Sequence, residues 1–301
     1  LGPGTESAPD YHLSFRERAD ERLDCVRVIR DKRYAYHKNY MPYAPAGQHL
    51  AYLWKAEATP AWEQHHREGK TNEITGRFFE PRVSEEFFDN EKDFDNVHNL
   101  IEADEHQERI AKLKNVLRQR QLELYDSGLL PEQIRVRRAK TNGLTIYDLV
   151  RDEELYPLAT YLDAADLALA RDETNLDTFV RDLNHDDEGL RWWGIVGLHL
   201  LEQEAAPATA ALEAALSDDA HEIRMMAAWT LVNLGQPDQA IACLDDLLFG
   251  KCDNEDMLHN VLEWMGKPGL PLVKKYIEND GNRQGRYGIG ILGRIAELNG
   301  W

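Results

Sequence analysis

The sequence lacks the motifs of the common enzyme and metal-site classes. It contains no GxSxG nucleophile elbow, no Walker phosphate-binding loop, no Rossmann glycine pattern and no zinc-finger spacing of cysteine and histidine. Its three cysteines, Cys25, Cys243 and Cys252, form no CxxC pair, and their odd number leaves at least one unpaired in a monomer. We predict that they are buried structural thiols, with a Cys243–Cys252 disulfide as the alternative.

Long apolar segments are also missing. No run of about 18–20 apolar residues occurs, so we expect no segment that spans a membrane. The first ten residues, LGPGTESAPD, have neither the charged nor the apolar region of a signal peptide. Because they are rich in glycine and proline, we predict a linker or frayed end over 1–10. The chain also begins without methionine, and we expect it to start within a longer protein.

Basic residues are scarce relative to acidic ones. The 35 lysines and arginines face 54 aspartates and glutamates, which gives a net charge of −19. This balance disfavours nucleic acid and anionic membranes as partners, because both require a basic surface. An anionic polysaccharide would need a local basic patch. One such excess lies near the N-terminus and comprises Arg16, Arg18, Arg22, Arg27, Arg30, Lys32 and Arg33.

The segment around residues 25–39 predicts a β-hairpin. Residues 25–30 and 33–39 are β-branched and aromatic, with Asp31-Lys32 between them as a two-residue turn. In this arrangement Val26 and Val28 share one face with Ala35 and His37. Both faces of the hairpin are mixed in polarity, so we predict a small sheet that is covered on one side only.

Further elements follow from local patterns. We predict a strand over 11–15, an amphipathic helix over 106–124, and short helices over 48–55, 60–68 and 145–152. The long helix presents Ile110, Leu113, Leu117 and Leu124 at helical spacing. Thr59-Pro60 is a suitable N-cap and first-turn pair for the helix over 60–68.

From Pro157 onward the sequence becomes rich in alanine and leucine and repeats itself. Residues 185–201 align with 218–235, which places Arg191 and Arg224 33 positions apart, and weaker copies occur over 255–266 and 285–299. Such copies predict a helical solenoid and resemble short HEAT repeats.

Two groups of side chains in the repeats admit a functional interpretation. We predict that Asp186-Asp187 and Asp218-Asp219 cap helices rather than bind a metal, because they recur in the same turn. Four tryptophans recur on the repeat helices, and we expect most of them in the interior. The alternative is a concave aromatic face that stacks on sugars. The four tryptophans are Trp192, Trp193, Trp229 and Trp264.

The hairpin segment VIRDKRYAYHKNYMPYAPAGQHLAYLW resembles the C-terminal subdomain of bacterial sulfatases close to the heparan N-sulfatases, within the arylsulfatase-like superfamily. His37 and Lys38 depart from the family pattern, which often has isoleucine and arginine there. The matching residues are Arg27, Arg30, Asp31, Arg33, Tyr34, Tyr36, Asn39, Tyr40, Met41, Pro42, Gly47, Gln48, His49, Leu50, Tyr52, Leu53 and Trp54.

Two more stretches resemble the same family. Over 81–100 the matches are Pro81, Glu86, Phe88, Asp89, Asp93, Asn99 and Leu100, while Phe94 and Asn96 replace a proline and a glutamate. This resemblance implies that 85–89 is the last short strand of the sheet. Before the hairpin the matches are Arg16, Arg18, Asp20, Glu21 and Asp24. In such enzymes this region closes one side of the active-site cleft. The resemblance therefore implies substrate contacts from Arg16, Arg18, Asp20 and Glu21, and from His37 and Tyr40.

The resemblance implies an α+β fold in three parts. Residues 1–135 would form a small antiparallel sheet subdomain with its packing helix, 136–156 a connector, and 157–301 an all-α HEAT-like solenoid. It also implies hydrolysis of a sulfate ester or an N-sulfate, with a glycan as the candidate substrate, in the periplasm or outside the cell. The partners implied are the chain's own N-terminal sulfatase domain and a sulfated glycan. The repeats would bind a protein partner or drive self-association.

The catalytic chemistry of that family is not found in this chain. The family uses a formylglycine made within C-x-P-S-R, and none of the three cysteines lies in such a motif. Its calcium ligands belong to a large α/β domain that this sequence does not contain. We therefore expect no catalytic residue, no metal ligand and no bound cofactor here, with formylglycine and calcium supplied by the catalytic domain. The rival hypothesis is a non-catalytic scaffold built on the repeats.

Overall fold

A four-stranded antiparallel sheet occupies the N-terminal part of the chain. The computed structural model describes residues 9–280 and 288–300. The strands are β1 (His12–Arg16), β2 (Val26–Arg30), β3 (Tyr34–Asn39) and β4 (Glu85–Asp89), and they pair in the order β1-β2-β3-β4. Helices dominate the rest of the described residues. The α+β class and all four predicted strands are confirmed. Residues 1–8 of the predicted linker and 285–287 of the last repeat copy lie outside the described residues.

The hairpin between β2 and β3 turns one residue later than the sequence suggested. Arg30 pairs with Ala35 and the backbone N–H of Asp31 donates to the carbonyl of Tyr34, so the two turn residues are Lys32 and Arg33. The Asp31 carboxylate accepts hydrogen bonds from the backbone N–H groups of Arg33 and Tyr34, which fixes this turn. The register changes by two residues, so the predicted faces are preserved.

Fourteen α-helices occur in the described residues. The helices that precede the repeats are α1 (Ala58–Arg67), α2 (Glu73–Gly76), α3 (Gln107–Glu123), α4 (Glu132–Thr141), α5 (Ile146–Leu149) and α6 (Leu158–Leu169). Those of the repeat region are α7 (Leu176–Leu183), α8 (Glu188–Leu200), α9 (Thr209–Ala215), α10 (His221–Asn233), α11 (Pro237–Phe249), α12 (Glu255–Met265), α13 (Leu270–Asp280) and α14 (Gly288–Leu298). Helix α4 crosses the predicted boundary at residue 135.

Helix α3 covers one face of the sheet. Ile110, Leu113 and Leu117 pack against four sheet residues, and all of them are buried. The fourth predicted core position, Leu124, lies just beyond the helix and is 61% exposed. The sheet residues beneath α3 are Ile29, Tyr34, Tyr36 and Phe87. The opposite face, which we call the open face, is partly exposed at Ser14, Arg16, Val26, Val28, His37 and Glu86. The prediction of a sheet covered on one side holds for only part of this face, because Ala35, Asn39 and Phe88 lie on it and are buried.

Two short-helix predictions need correction. Residues 48–55 form turns rather than a helix, because Gln48 and the backbone of Ala51 are bonded to Leu23 and Glu21 instead of to their own segment. Helix α1 begins at Ala58 with Glu57 at the N-cap, so buried Thr59 is not the cap.

The repeat region consists of four consecutive pairs of helices in contact, α7–α8, α9–α10, α11–α12 and α13–α14. The Asp187 carboxylate accepts hydrogen bonds from the backbone N–H groups of Gly189 and Leu190, which confirms its capping role. The capping prediction for Asp218-Asp219 is wrong, since Ala220 is the N-cap of α10. Asp218 instead pairs with Arg191 at 2.8 Å, which joins neighbouring pairs.

The chain's own loop fills the inner side of the helix pairs. Tyr43 makes edge-to-face ring contacts with His199 of α8, Trp229 of α10 and Trp264 of α12. Tyr40 packs on Trp193 in the same way. The alternative of a sugar-stacking tryptophan face is therefore wrong. One hydrophobic cluster extends from Cys25 to Ile295, so contacts cross the predicted domain boundaries, and the division into domains stays a prediction.

Polar contacts also connect the two ends of the chain. Arg294 of α14 binds both carboxylate oxygens of Glu63 on α1, with its Nε 3.1 Å from one of them, and it also binds Glu263 of α12 at 2.5 Å.

All three cysteines are free, so the disulfide alternative is wrong; Cys25 and Cys243 are buried and Cys252 is half-buried. Among the described residues no helix is long and apolar enough to cross a membrane.

Candidate anion-binding site

Two arginines pair with one buried carboxylate beside the open face, and a third lies close enough to interact with their charges. We call Arg16, Arg22 and Arg82 the arginine cluster, and Asp24 is its centre. Asp24 Oδ1 accepts a hydrogen bond from Arg82 at 2.9 Å, and Oδ2 lies 2.9 Å from Arg16 Nε. The Asp24 side chain is completely buried, whereas that of Arg16 is 39% exposed. The cluster therefore presents cationic groups to solvent around a carboxylate that a ligand cannot reach.

Positive charge exceeds negative charge in this cluster. Burial lowers the pKa of Arg22, and the charges of Arg16 and Arg82 lower it further, against the opposing effect of Asp24. The Nε of Arg22 has no hydrogen-bond partner, and the Nε of Arg16 is near Asp24 without the geometry of a hydrogen bond. Guanidinium groups form forked hydrogen bonds with oxyanions such as carboxylate, phosphate and, by the same geometry, sulfate. An anion bound here would relieve the repulsion between the arginines.

A tight turn positions Arg22. Ala19 and Arg22 exchange two backbone hydrogen bonds of 2.9 and 3.0 Å, and Asp20 within the turn has a φ of 51°. The amide of Asn260 on α12 donates to the carbonyl of Glu21 at 2.7 Å. Arg82 is fixed from the other side, because it also donates to the carbonyls of Met41 and Ala44. The helical region thus takes part in shaping the site.

The residues predicted before the hairpin separate in the structure. Arg16 belongs to the arginine cluster, but Arg18 turns away to Glu132 at 2.5 Å and Asp256 at 3.7 Å. Asp20 is exposed at the tip of the turn. Glu21 is buried, and its carboxylate accepts a hydrogen bond from the backbone N–H of Ala51, so its place in the structure is that of a loop anchor.

The two remaining predicted residues, His37 in β3 and Tyr40 just after it, also differ in accessibility. His37 lies on the open face, with Nδ1 3.9 Å from a carboxylate oxygen of Glu86. Burial lowers the pKa of His37 to about 4 and raises the pKa of Glu86, so both changes favour the uncharged forms. Tyr40 is 2% exposed and donates its hydroxyl hydrogen bond to Gln121. Contact between Tyr40 and a ligand on the open face is therefore blocked by burial.

Sequence patterns do not identify the whole site. The sequence shows Arg22 only as one member of the N-terminal excess of basic residues, and Asp24 only as one match to the family motif. It gives no reason to select Arg82. Arg82 lies 58 positions from Asp24. The local pattern around it, EPRVSEE, carries no sign of that partner. Only the pairing of β3 with β4 brings these residues together.

Residues 9–280 and 288–300 offer no metal site. No group of three or more histidine, cysteine, aspartate or glutamate side chains there is arranged to hold a metal ion. The calcium of sulfatases consequently has no fitting ligand set in these residues, and no cysteine lies in a C-x-P-S-R motif. No catalytic step is assigned to either group in this chain.

Comparison with curated proteins gives a sulfatase relationship. An ulvan-active sulfatase from Formosa agariphila is 30% identical over 136 residues. The aligned segment covers 44% of this chain and 22% of that protein, so the chain spans less than a quarter of the relative's length. No family model matches the chain. No solved structure matches it either.

Proposed function

We propose that this chain is the C-terminal part of a sulfatase that hydrolyses sulfate esters or N-sulfates of a glycan. The observation that carries the proposal is the arginine cluster, in which Arg16 and Arg82 pair with the buried carboxylate of Asp24 and Arg22 adds a third positive charge beside them. The similarity to an ulvan-active sulfatase and the family motifs support the same function. In this proposal the chain binds an anionic group of the glycan, and the reaction takes place on a separate catalytic domain outside the cytoplasm.

The residues of the arginine cluster and the neighbouring His37 of the open face each have a defined role in the proposal. Arg16 and Arg22 bind a sulfate or carboxylate group, since their guanidinium groups are not fully hydrogen-bonded within the chain. Arg82 and Asp24 hold these two arginines in place rather than touching the ligand, because they are largely or completely buried. Neutral His37 contributes a hydrogen bond without adding charge. The helix pairs support this surface through Asn260, which holds the turn at Glu21, in the manner of a HEAT-like module.

The scaffold hypothesis has weaker support. A solenoid that binds a protein usually offers its concave face, but here Tyr40 and Tyr43 occupy the inner side of the helix pairs. Self-association through the outer helices stays compatible with the sulfatase proposal.

A binding titration tests the role of the arginine cluster. Inorganic sulfate and glucose 6-sulfate would be titrated into the chain and into Arg22→Gln by calorimetry at low salt. We expect Arg22→Gln to weaken binding about tenfold, the effect of losing one charge-assisted bond. Arg30→Gln is the matched control, because Arg30 is an exposed arginine at the other end of the same face. Equal affinities of Arg22→Gln and the native chain would refute the anion site.

An activity assay tests the sulfatase function itself. The chain alone, and the same chain extended upstream to a C-x-P-S-R motif, would be assayed with calcium and an aryl sulfate. We expect activity only in the extended protein. Inactivity of both would favour the scaffold hypothesis, and activity of the short chain would contradict the statement that its residues lack the catalytic chemistry.

A further inference from the structure

A second groove opens on the other side of the sheet from the arginine cluster. It has a volume of about 430 Å³ and lies between the end of β1 and the C-terminal end of α3. Phe15 and Arg27 are cross-strand partners on this side, and Leu124 and Tyr125 follow α3. Helix α3 ends at Glu123, so it leaves this corner of the sheet uncovered. The volume lies in the range of about 300–1,000 Å³ that is typical of small-molecule sites.

Large apolar side chains line this groove in an exposed position. Phe15 is 71% exposed, Leu124 61% and Tyr125 41%. Tyr125 has a φ of 54°, which is a strained conformation for an aromatic residue. The guanidinium of Arg151 stacks on Tyr125 at 4.5 Å and on Tyr147 at 3.5 Å, and so supports the ring from outside.

The polar wall of the groove is electrically balanced. Three cations, Arg18, Arg27 and Arg135, face three carboxylates, Glu17, Asp126 and Glu132. Arg27 is 4% exposed and binds Asp126 through two hydrogen bonds of 2.7 and 2.8 Å, and it also binds Glu17. Arg18 pairs with Glu132. The buried Nε of Arg135 has no partner. This balance contrasts with the excess positive charge of the arginine cluster.

We propose that this groove binds an unsulfated, uncharged sugar ring. A sugar ring presents C–H groups on its faces, which pack on aromatic rings, and hydroxyl groups around its edge. A hydroxyl group both donates and accepts hydrogen bonds, so it can bridge a guanidinium and a carboxylate that are already paired. A sulfate or uronate would instead approach Glu17, Asp126 and Glu132, and an ammonium group would approach three arginines. The inference goes beyond the proposed hydrolase function and does not require it.

The proposal also gives Arg18 a role. Arg18 does not join the arginine cluster, but it lines the second groove beside Glu132. Because Arg16 and Phe15 are successive residues of β1, their side chains point to opposite faces of the sheet. The two sites therefore bind different groups from opposite sides of one strand.

A titration with neutral sugars tests the proposal. Glucose, galactose, xylose, rhamnose and cellobiose would be titrated into the isotope-labelled chain, with amide chemical shifts as the readout. We expect at least one sugar to shift amides of Phe15 and Tyr125 in a saturable manner. Phe15→Thr and Tyr125→Gly should each weaken binding about tenfold. Both variants are compatible with folding, since threonine suits a strand and glycine accepts a positive φ.

Two control variants distinguish binding in this groove from binding elsewhere on the chain. Phe94→Thr removes an aromatic ring that is 88% exposed at a distant position and should leave sugar binding unchanged. Arg22→Gln should also leave it unchanged, so failure of the anion site and failure of the sugar site are distinguishable. Absence of saturable shifts with every sugar, or sugar binding that Phe15→Thr and Tyr125→Gly do not weaken, would overturn the proposal.

Discussion

The side-chain amide of Asn260 donates a 2.7 Å hydrogen bond to the backbone carbonyl of Glu21, which lies 239 positions away. The Asn260 side chain is completely buried, and its amide also donates to the carbonyl of Asp256 one turn earlier in α12. This contact attaches the turn that carries Arg22 to the helical region. The geometry of the arginine cluster consequently depends on both the sheet and the helix pairs.

Replacing Asn260 tests that attachment. Asn260→Ala leaves the buried Glu21 carbonyl without its partner, and we expect the free energy of unfolding to fall by about 1–3 kcal/mol in urea. Sulfate binding by the arginine cluster should weaken as well, because the turn loses its anchor. Asn115→Ala, at an exposed position of α3, is the control and should change stability by less than about 0.5 kcal/mol. A matching loss in both variants would contradict a specific role for Asn260.

Two substitutions of Tyr43 separate the contribution of its ring to stability from that of its hydroxyl group. Its ring fills the space between α8, α10 and α12, whereas its buried hydroxyl has no hydrogen-bond partner. Tyr43→Ala should therefore cost about 3–5 kcal/mol of unfolding free energy, as expected for a large cavity. Tyr43→Phe should keep or increase stability, because it removes an unsatisfied polar group. A large loss in Tyr43→Phe would show that the hydroxyl is satisfied, for example by buried water.

Gly194 tests the close approach of α7 and α8. A Cβ atom at this position would lie 2.6 Å from the backbone nitrogen of Leu183 and 2.9 Å from the carbonyl oxygen of Phe179. In an exposed helix, glycine to alanine adds about 1 kcal/mol of stability. We expect Gly194→Ala to reverse that sign and destabilise the chain by about 1–3 kcal/mol, because the backbone of α7 must move. Thermal unfolding measures the effect, and an increase in melting temperature would disprove it.

His199 makes stability depend on pH. Burial lowers its pKa to about 3, and the charge of Arg171 acts in the same direction. The hydroxyl of Thr230 donates to the carbonyl of Met226, so it accepts a hydrogen bond from Nδ1–H of neutral His199. Because the folded pKa lies below the ordinary value of 6.5, this contribution is complete above about pH 6.5 and is lost as pH falls towards 3.

Urea unfolding at several pH values measures this loss. Between pH 7 and pH 3.5 we expect the native chain to lose about 2–4 kcal/mol more stability than His199→Gln, which has no proton to bind at this position. His12→Gln replaces an exposed histidine of β1 and should keep the native dependence. Parallel curves for His199→Gln and the native chain would mean that His199 is not buried in the neutral form.

Local patterns predicted many of the elements but not their assembly. Sequence patterns predicted the strands over 11–15, 25–30 and 33–39, and the family resemblance implied the strand over 85–89. The spacing of Ile110, Leu113 and Leu117 predicted the covering helix. The residues predicted to share a face of the hairpin do share it, although the turn is displaced. A register shift of two residues between the paired strands leaves each side chain on the same face. The helix predicted over 48–55 failed because partners distant in sequence, Glu21 and Leu23, take its hydrogen bonds.

The candidate sites show the same limit. Arg16 was predicted from its motif, but the motif could not reveal that Arg82 completes the cluster or that Arg18 turns towards α4. Tyr40 matches the family pattern, yet its place in the structure is set by packing on Trp193 rather than by exposure to a ligand. Side-chain direction depends on tertiary contacts, and those contacts join segments that no local window contains.

The ion pair between Glu63 and Arg294 imposes an order on biosynthesis. The two residues are separated by 231 positions, and a ribosome adding about 5–20 residues per second makes Arg294 about 12–46 s after Glu63. Helices α8 and α10 give the loop with Tyr43 part of its surface as they emerge, and α12 adds the ring of Trp264 later. The packing of this loop is therefore complete only after α12 is made, whereas the sheet and α3, which lie within residues 12–123, are synthesised long before that point.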